Sequence, residues 1–164
     1  GMPDETWDEI LETVDFAEKM DFDLVTFNVA QPFAGTAMVK TCLDKGYLPK
    51  DFDWTDERQY GNSTGFITTP EFTPDDLMYL RTYAWDYINF RNYDKKVRAA
   101  RCMNIPLDQI DKHRLENMNN LGVLTVKQNF SQNRNMISHI QQLKNDVYRK
   151  NNKADKNQRC TKPT

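Results

Sequence analysis

Near the start of the chain the apolar positions change rhythm. Trp7, Ile10, Leu11, Val14 and Ala17 recur with the period of one buried helix face. Thr6 followed by Glu9 has capping-box spacing, so the pattern predicts a helix beginning at about Trp7. After the connector Lys19-Met20-Asp21-Phe22-Asp23 comes Leu24-Val25-Thr26-Phe27-Asn28-Val29, a nearly unbroken apolar and β-branched run. It reads as a strand covered on both faces, as in parallel sheets. Helix, short connector and buried strand make half of a βαβ unit, whose first strand would precede Gly1. A lone strand leaves backbone groups unpaired on both edges. The best second strand, Gly65-Phe66-Ile67-Thr68-Thr69, is short and closed by Pro70. The sheet is therefore expected to be completed by chain outside this sequence.

Gln31-Pro32-Phe33-Ala34-Gly35-Thr36 predicts a turn, followed by a short helix over about 37–45 with Gly46 as its stop. Residues 47–72 are irregular and rich in aromatics, most of which are expected to pack. Thr73-Pro74-Asp75-Asp76 is a strong helix start: a capping Thr, Pro at the first position, then acids at the positive end of the dipole. Leu77, Leu80, Ala84, Tyr87 and Ile88 supply the apolar face of a helix reaching about Arg101. Pro106 opens another, with Leu107, Ile110 and Leu115 inside. Residues 121–126 fit a strand or a helix turn, and 131–150 an amphipathic helix marked by Met136, Ile140, Leu143 and Val147. The expected fold is mostly α with a minor α/β portion.

Charge and cysteine content narrow the chemistry. Residues 1–124 carry 13 Lys/Arg against 22 Asp/Glu, and residues 125–164 carry 9 against 2. The basic end reads as a solvated tail over 151–164; it lacks aromatics to stack on bases, so nucleic-acid binding is not the expectation. No apolar run approaches the roughly 20 residues of a membrane span, and the N-terminus is not a secretory signal, so a cytoplasmic protein is expected. Cys42, Cys102 and Cys160 are too widely spaced for a zinc or redox motif and read as free thiols. Phosphate-loop, hydrolase-elbow, His-Glu-x-x-His and dinucleotide motifs are absent. His113 reads as an exposed helix residue, His139 as structural, and Asp21 and Asp23 as solvated connector carboxylates.

One ordered set of segments goes further. Gly1-Met2-Pro3-Asp4-Glu5-Thr6, with Glu9, Thr13, Val14 and Phe16-Ala17, resembles a segment late in radical S-adenosylmethionine (SAM) barrels. Phe27-Asn28-Val29-Ala30-Gln31-Pro32-Phe33-Ala34-Gly35-Thr36 resembles the strand and turn that follow, with Ala34 where the family usually has Pro. Lys45-Gly46-Tyr47-Leu48 and Trp54 fit the cobalamin-binding branch, which includes the anaerobic magnesium-protoporphyrin IX monomethyl ester cyclases. Thr73-Pro74-Asp75-Asp76-Leu77 through Phe90-Arg91 resembles the helix capping the barrel. The resemblance runs in order over residues 1–101; residues 102–164 share nothing with it.

The resemblance implies the terminal part of a partial (β/α)6 barrel followed by a helical extension. Residues 1–46 would end the barrel, 47–104 would hold the aromatic loop and capping helix, 105–150 the extension, and 151–164 a disordered basic tail. It also implies SAM and a [4Fe–4S] cluster in the intact parent, cobalamin as a further cofactor, and methyl transfer or cyclisation on an unreactive carbon. Gly1, Glu5, Asn28 and Ala30 would belong to the SAM pocket, and Gln31 and Pro32 would face a small-molecule substrate. The family's C-x3-C-x2-C cluster loop has no counterpart here, so this chain alone is expected to be non-catalytic, partnered by the missing N-terminal part of the same protein. The competing reading is a stand-alone helical adaptor without enzymatic activity.

Overall fold

The structure is a computed structural model that describes residues 1–61 and 64–120. It is mostly α. The described residues form five α-helices and no strand: α1 (Trp7–Lys19), α2 (Ala37–Asp44), α3 (Pro74–Phe90), α4 (Tyr93–Met103) and α5 (Ile110–Asn120), with a 3-10 turn at Glu57–Tyr60. The expected elements over 121–126 and 131–150, and the tail over 151–164, lie outside the described residues, as do His139 and Cys160.

Local signals set the helix starts. Thr6 caps α1 and Glu9 returns the hydrogen bond to the Thr6 N–H at 2.8 Å. That bond to the Thr6 backbone holds the Glu9 carboxyl below the ordinary carboxylate range. Thr73 caps α3 in the same way, with Pro74 at its first position and Asp76 closing the box. α2 ends before Gly46, whose φ of 70° needs no Cβ penalty.

Two expectations are corrected. The single helix projected to Arg101 is two. Asn92 is extended (φ −151°, ψ 174°) and its side chain accepts from the Lys95 N–H at 2.9 Å, which stops α3 and caps α4. Pro106 opens a turn, closed by Gln109 N–H to the Pro106 carbonyl at 2.9 Å, and α5 starts only at Ile110. Ile110 is wholly buried, whereas Leu107 and Leu115 are exposed rather than inner positions.

α3 is the centre of the molecule and packs on both α1 and α4. Its Leu77, Leu80, Tyr83, Ala84 and Ile88 join Trp7, Ile10 and Val14 of α1, with Ile67 and Phe72 from the long loop. Burying each such large apolar side chain contributes about 1.5–3 kcal/mol. Tyr47, Phe52, Phe66 and Phe72 pack against or within this core, while Trp54 and Tyr60 stay exposed. A second cluster of Phe90, Ala99, Ala100 and Ile110 joins α4 and α5 to the end of α3. There Asp86, 1% exposed, takes two 2.7 Å hydrogen bonds from Arg114, whose guanidinium also lies 4.5 Å from the Phe90 ring centroid.

The expected strand over residues 24–29 is an extended segment without a ladder. Val25 and Val29 are buried, but Thr26 and Asn28 are exposed, so the run is not covered on both faces. Nor are both edges open. The Asn89 carboxamide of α3, itself buried, accepts from the Val25 N–H and donates to the Val25 carbonyl, both at 2.8 Å. Arg81 Nε donates to the Phe27 carbonyl at 2.5 Å. Alternate residues of an extended chain direct their backbone groups to opposite sides. Two α3 side chains thus seal the edge of Val25 and Phe27. The N–H groups of Thr26 and Asn28 have no hydrogen bond among the described residues.

Candidate functional site

A cleft of about 90 Å³ opens where α1, α3 and the extended segment meet. Gly1, Glu5, Thr13, Phe27, Asn28 and Arg81 line it, above a floor of apolar α1 and α3 side chains. Each element has a local reason to be there. The α1 capping box fixes the turn that carries Glu5. The Asn89 clamp on Val25 fixes the strand-like segment that carries Phe27 and Asn28. At Gly1, a Cβ would lie 2.3 Å from Leu77 Cδ1, so the glycine lets this turn approach α3 closely.

Of the residues singled out from sequence, Gly1, Glu5 and Asn28 come together in this cleft. Glu5 Oε2 accepts from the Met2 N–H and pairs with the Gly1 amine, both at 2.8 Å. Ala30, Gln31 and Pro32 follow along the chain and do not line it. Gln31 Nε2 donates to the Thr64 carbonyl at 2.6 Å, tying the segment's end to the long loop, and its Oε1 is buried without a hydrogen bond among the described residues. Pro32 is buried.

Arg81 was not singled out by sequence reasoning, although its position gave a signal. It falls four residues after Leu77, on the stripe that Leu80, Ala84 and Ile88 continue, so a cation sits on the apolar face of α3. Burial pulls its pKa down from the ordinary arginine value.

No group of three or more His, Cys, Asp or Glu side chains among the described residues is arranged to hold a metal. Cys42 is wholly buried on α2, where burial and then nearby Asp4 push its thiol up, and Cys102 is exposed on α4. These thiols do not converge, and an iron–sulfur cluster does not fit them. Among the described residues no helix is long and apolar enough to cross a membrane.

A second cluster occupies the connector after α1. Asp21 has a left-handed backbone (φ 52°) and meets three cations, two from α4 and one from the cap that ends α3: Lys95 at 2.7 Å, Arg98 at 3.2 Å and Arg91 at 3.4 Å. The Lys95 ammonium, first, and Arg98 hold its carboxyl down from 3.8 to about 2. Asp23 pairs with Arg98 at 3.0 Å. These are tied carboxylates rather than merely solvated ones.

Comparison with known proteins gives one informative similarity. The chain is 31% identical, over 90 residues, to a protein of Pyrococcus horikoshii named an uncharacterized methyltransferase. The match takes in 55% of this chain but only 18% of that protein, so the chain spans less than a fifth of its relative's length. No family model and no solved structure matches the chain.

Proposed function

We propose that this chain is the C-terminal part of a radical SAM enzyme of the cobalamin-binding branch, acting in methyl transfer or cyclisation on an unreactive carbon. In this reading it supplies one wall of the SAM and substrate pocket and is not catalytic alone. The observation that carries it is the cleft, which gathers Gly1, Glu5 and Asn28 beside a strand-like segment with one open edge. At about 90 Å³ it is far smaller than the roughly 300–1,000 Å³ of a complete small-molecule site, as one wall of a larger pocket would be. Similarity to a much longer protein named a methyltransferase supports the same reading.

The open edge supports the proposed partner. Phe16 and Phe22, 58% and 46% exposed, share a shallow depression with Thr26, whose backbone N–H has no partner among the described residues. Exposed rings beside a free strand edge suit a further helix and strand of the same protein. Residues 1–46 would then end a barrel, with 47–104 and 105–150 as capping and extension.

Within the pocket, Asn28 offers an amide donor and acceptor, Glu5 an anionic acceptor, and Phe27 a ring surface. When bound, SAM would supply the reacting group; the described residues hold no cluster ligands, and every cluster-dependent step falls to the missing part. The reading frame preceding Gly1 in the source genome tests the proposal. A frame encoding strands, helices and a C-x3-C-x2-C loop is expected, and a frame without that loop overturns it.

A further inference from the structure

Six basic side chains among the described residues are buried or half-buried: Arg81, Arg91, Lys95, Lys96, Arg98 and Arg114. Five of them pair with a carboxylate, and Arg81 does not. Its one protein hydrogen bond is from Nε to the Phe27 carbonyl, so the Nη groups have no acceptor among the described residues. The carboxylate in the same cleft, Glu5, is engaged by the Met2 N–H. A guanidinium presents donors on two sides in a rigid fork suited to two oxygens of one anion. With Nε anchored on Phe27, the fork is held in place while its Nη donors remain available.

We infer that Arg81 is an oxyanion receptor in this cleft, taking a carboxylate or phosphate group of a small-molecule ligand. The geometry supports this in three ways. The cleft's size suits the charged end of a ligand. Its walls are largely apolar, which strengthens a charge-assisted pair relative to open solvent. An anion would also compensate the desolvation that depresses the Arg81 pKa. The Phe27 bond alone would need one neutral donor, and Arg81 brings a charge as well. The inference rests on the reading of the cleft as a ligand pocket.

The test is a titration of the 164-residue chain with inorganic phosphate, acetate, chloride at matched ionic strength, and adenosine, followed by the amide and arginine Nε–H signals in nuclear magnetic resonance spectra. Phosphate or acetate should shift the Arg81 Nε–H and Phe27 signals saturably, and chloride should not; whichever oxyanion does so identifies the source. Arg81→Gln should weaken that binding by roughly tenfold or more, the order expected when a charge-assisted hydrogen bond is lost. Arg81→Lys keeps the charge without the fork and should bind more weakly than wild type, but measurably. Oxyanion shifts no larger than those of chloride, or undiminished in Arg81→Gln, overturn the inference. Adenosine shifting Asn28 while neither oxyanion moves Arg81 removes the receptor and leaves the pocket reading. No response to any probe removes the receptor, and the pocket reading then stands or falls with the reading frame that precedes Gly1.

Discussion

At the scale of single residues, the most consequential side chains are polar ones in places where the pattern calls for apolar or solvated groups. Asp21 holds a left-handed backbone that few residues other than glycine adopt without cost, and three cations converge on it. Its folded pKa lies near 2, below the ordinary 3.8. A carboxyl depressed in this way adds stability that is complete above the unfolded value and is lost as pH falls through the folded one. Wild-type unfolding midpoints in urea should therefore decline between about pH 4 and pH 2, and Asp21→Asn should flatten that decline. Equal slopes in the two proteins would show that other carboxyls carry the acid sensitivity. None of this was legible from Asp21 and Asp23 as a connector pair, because the cations lie at positions 91, 95 and 98, far along the chain.

At the scale of elements, what the sequence disclosed depended on how local the cause was. The starts of α1 and α3 were readable because Thr6 with Glu9, and Thr73 with Asp76, carry their whole mechanism within four residues. The break between α3 and α4 was missed because Asn92 sits inside a continuous helical pattern, and its capping role shows only in its backbone. The extended segment was half readable. Its β-branched composition announced it, but the seal on one edge comes from Asn89 and Arg81, more than fifty positions away. That seal makes Asn89 a strand substitute. Asn89→Leu should leave the Val25 N–H and carbonyl unsatisfied and cost about 2–4 kcal/mol, read from denaturant unfolding. Asn92→Ala removes only a cap and should cost about 1 kcal/mol. If the two variants are equally destabilised, the Asn89 clamp is not holding the segment.

At the scale of the molecule, the cleft was legible in part. Gly1, Glu5 and Asn28 could be named from sequence because they lie in two short motifs, whereas Arg81 joins them only through the packing of α3 on the extended segment. Its polar character on an apolar stripe was the available clue. The same packing leaves the molecule asymmetric: α3 closes one edge of the segment, while the opposite edge lies beside Phe16 and Phe22. If, as proposed, the chain is part of a longer enzyme whose remainder joins at that edge, amide exchange should show it. In the isolated chain the Val25 N–H, bonded to buried Asn89, should exchange slowly, and those of Thr26 and Asn28 quickly. In the full-length protein Thr26 and Asn28 should become protected, and exposure of Phe16 and Phe22 to surface-labelling reagents should fall with them. Protection of the amides without covered rings would place a strand there but no helix. Fast exchange at Thr26 and Asn28 in the full-length protein would mean that the edge stays open and the parent joins elsewhere.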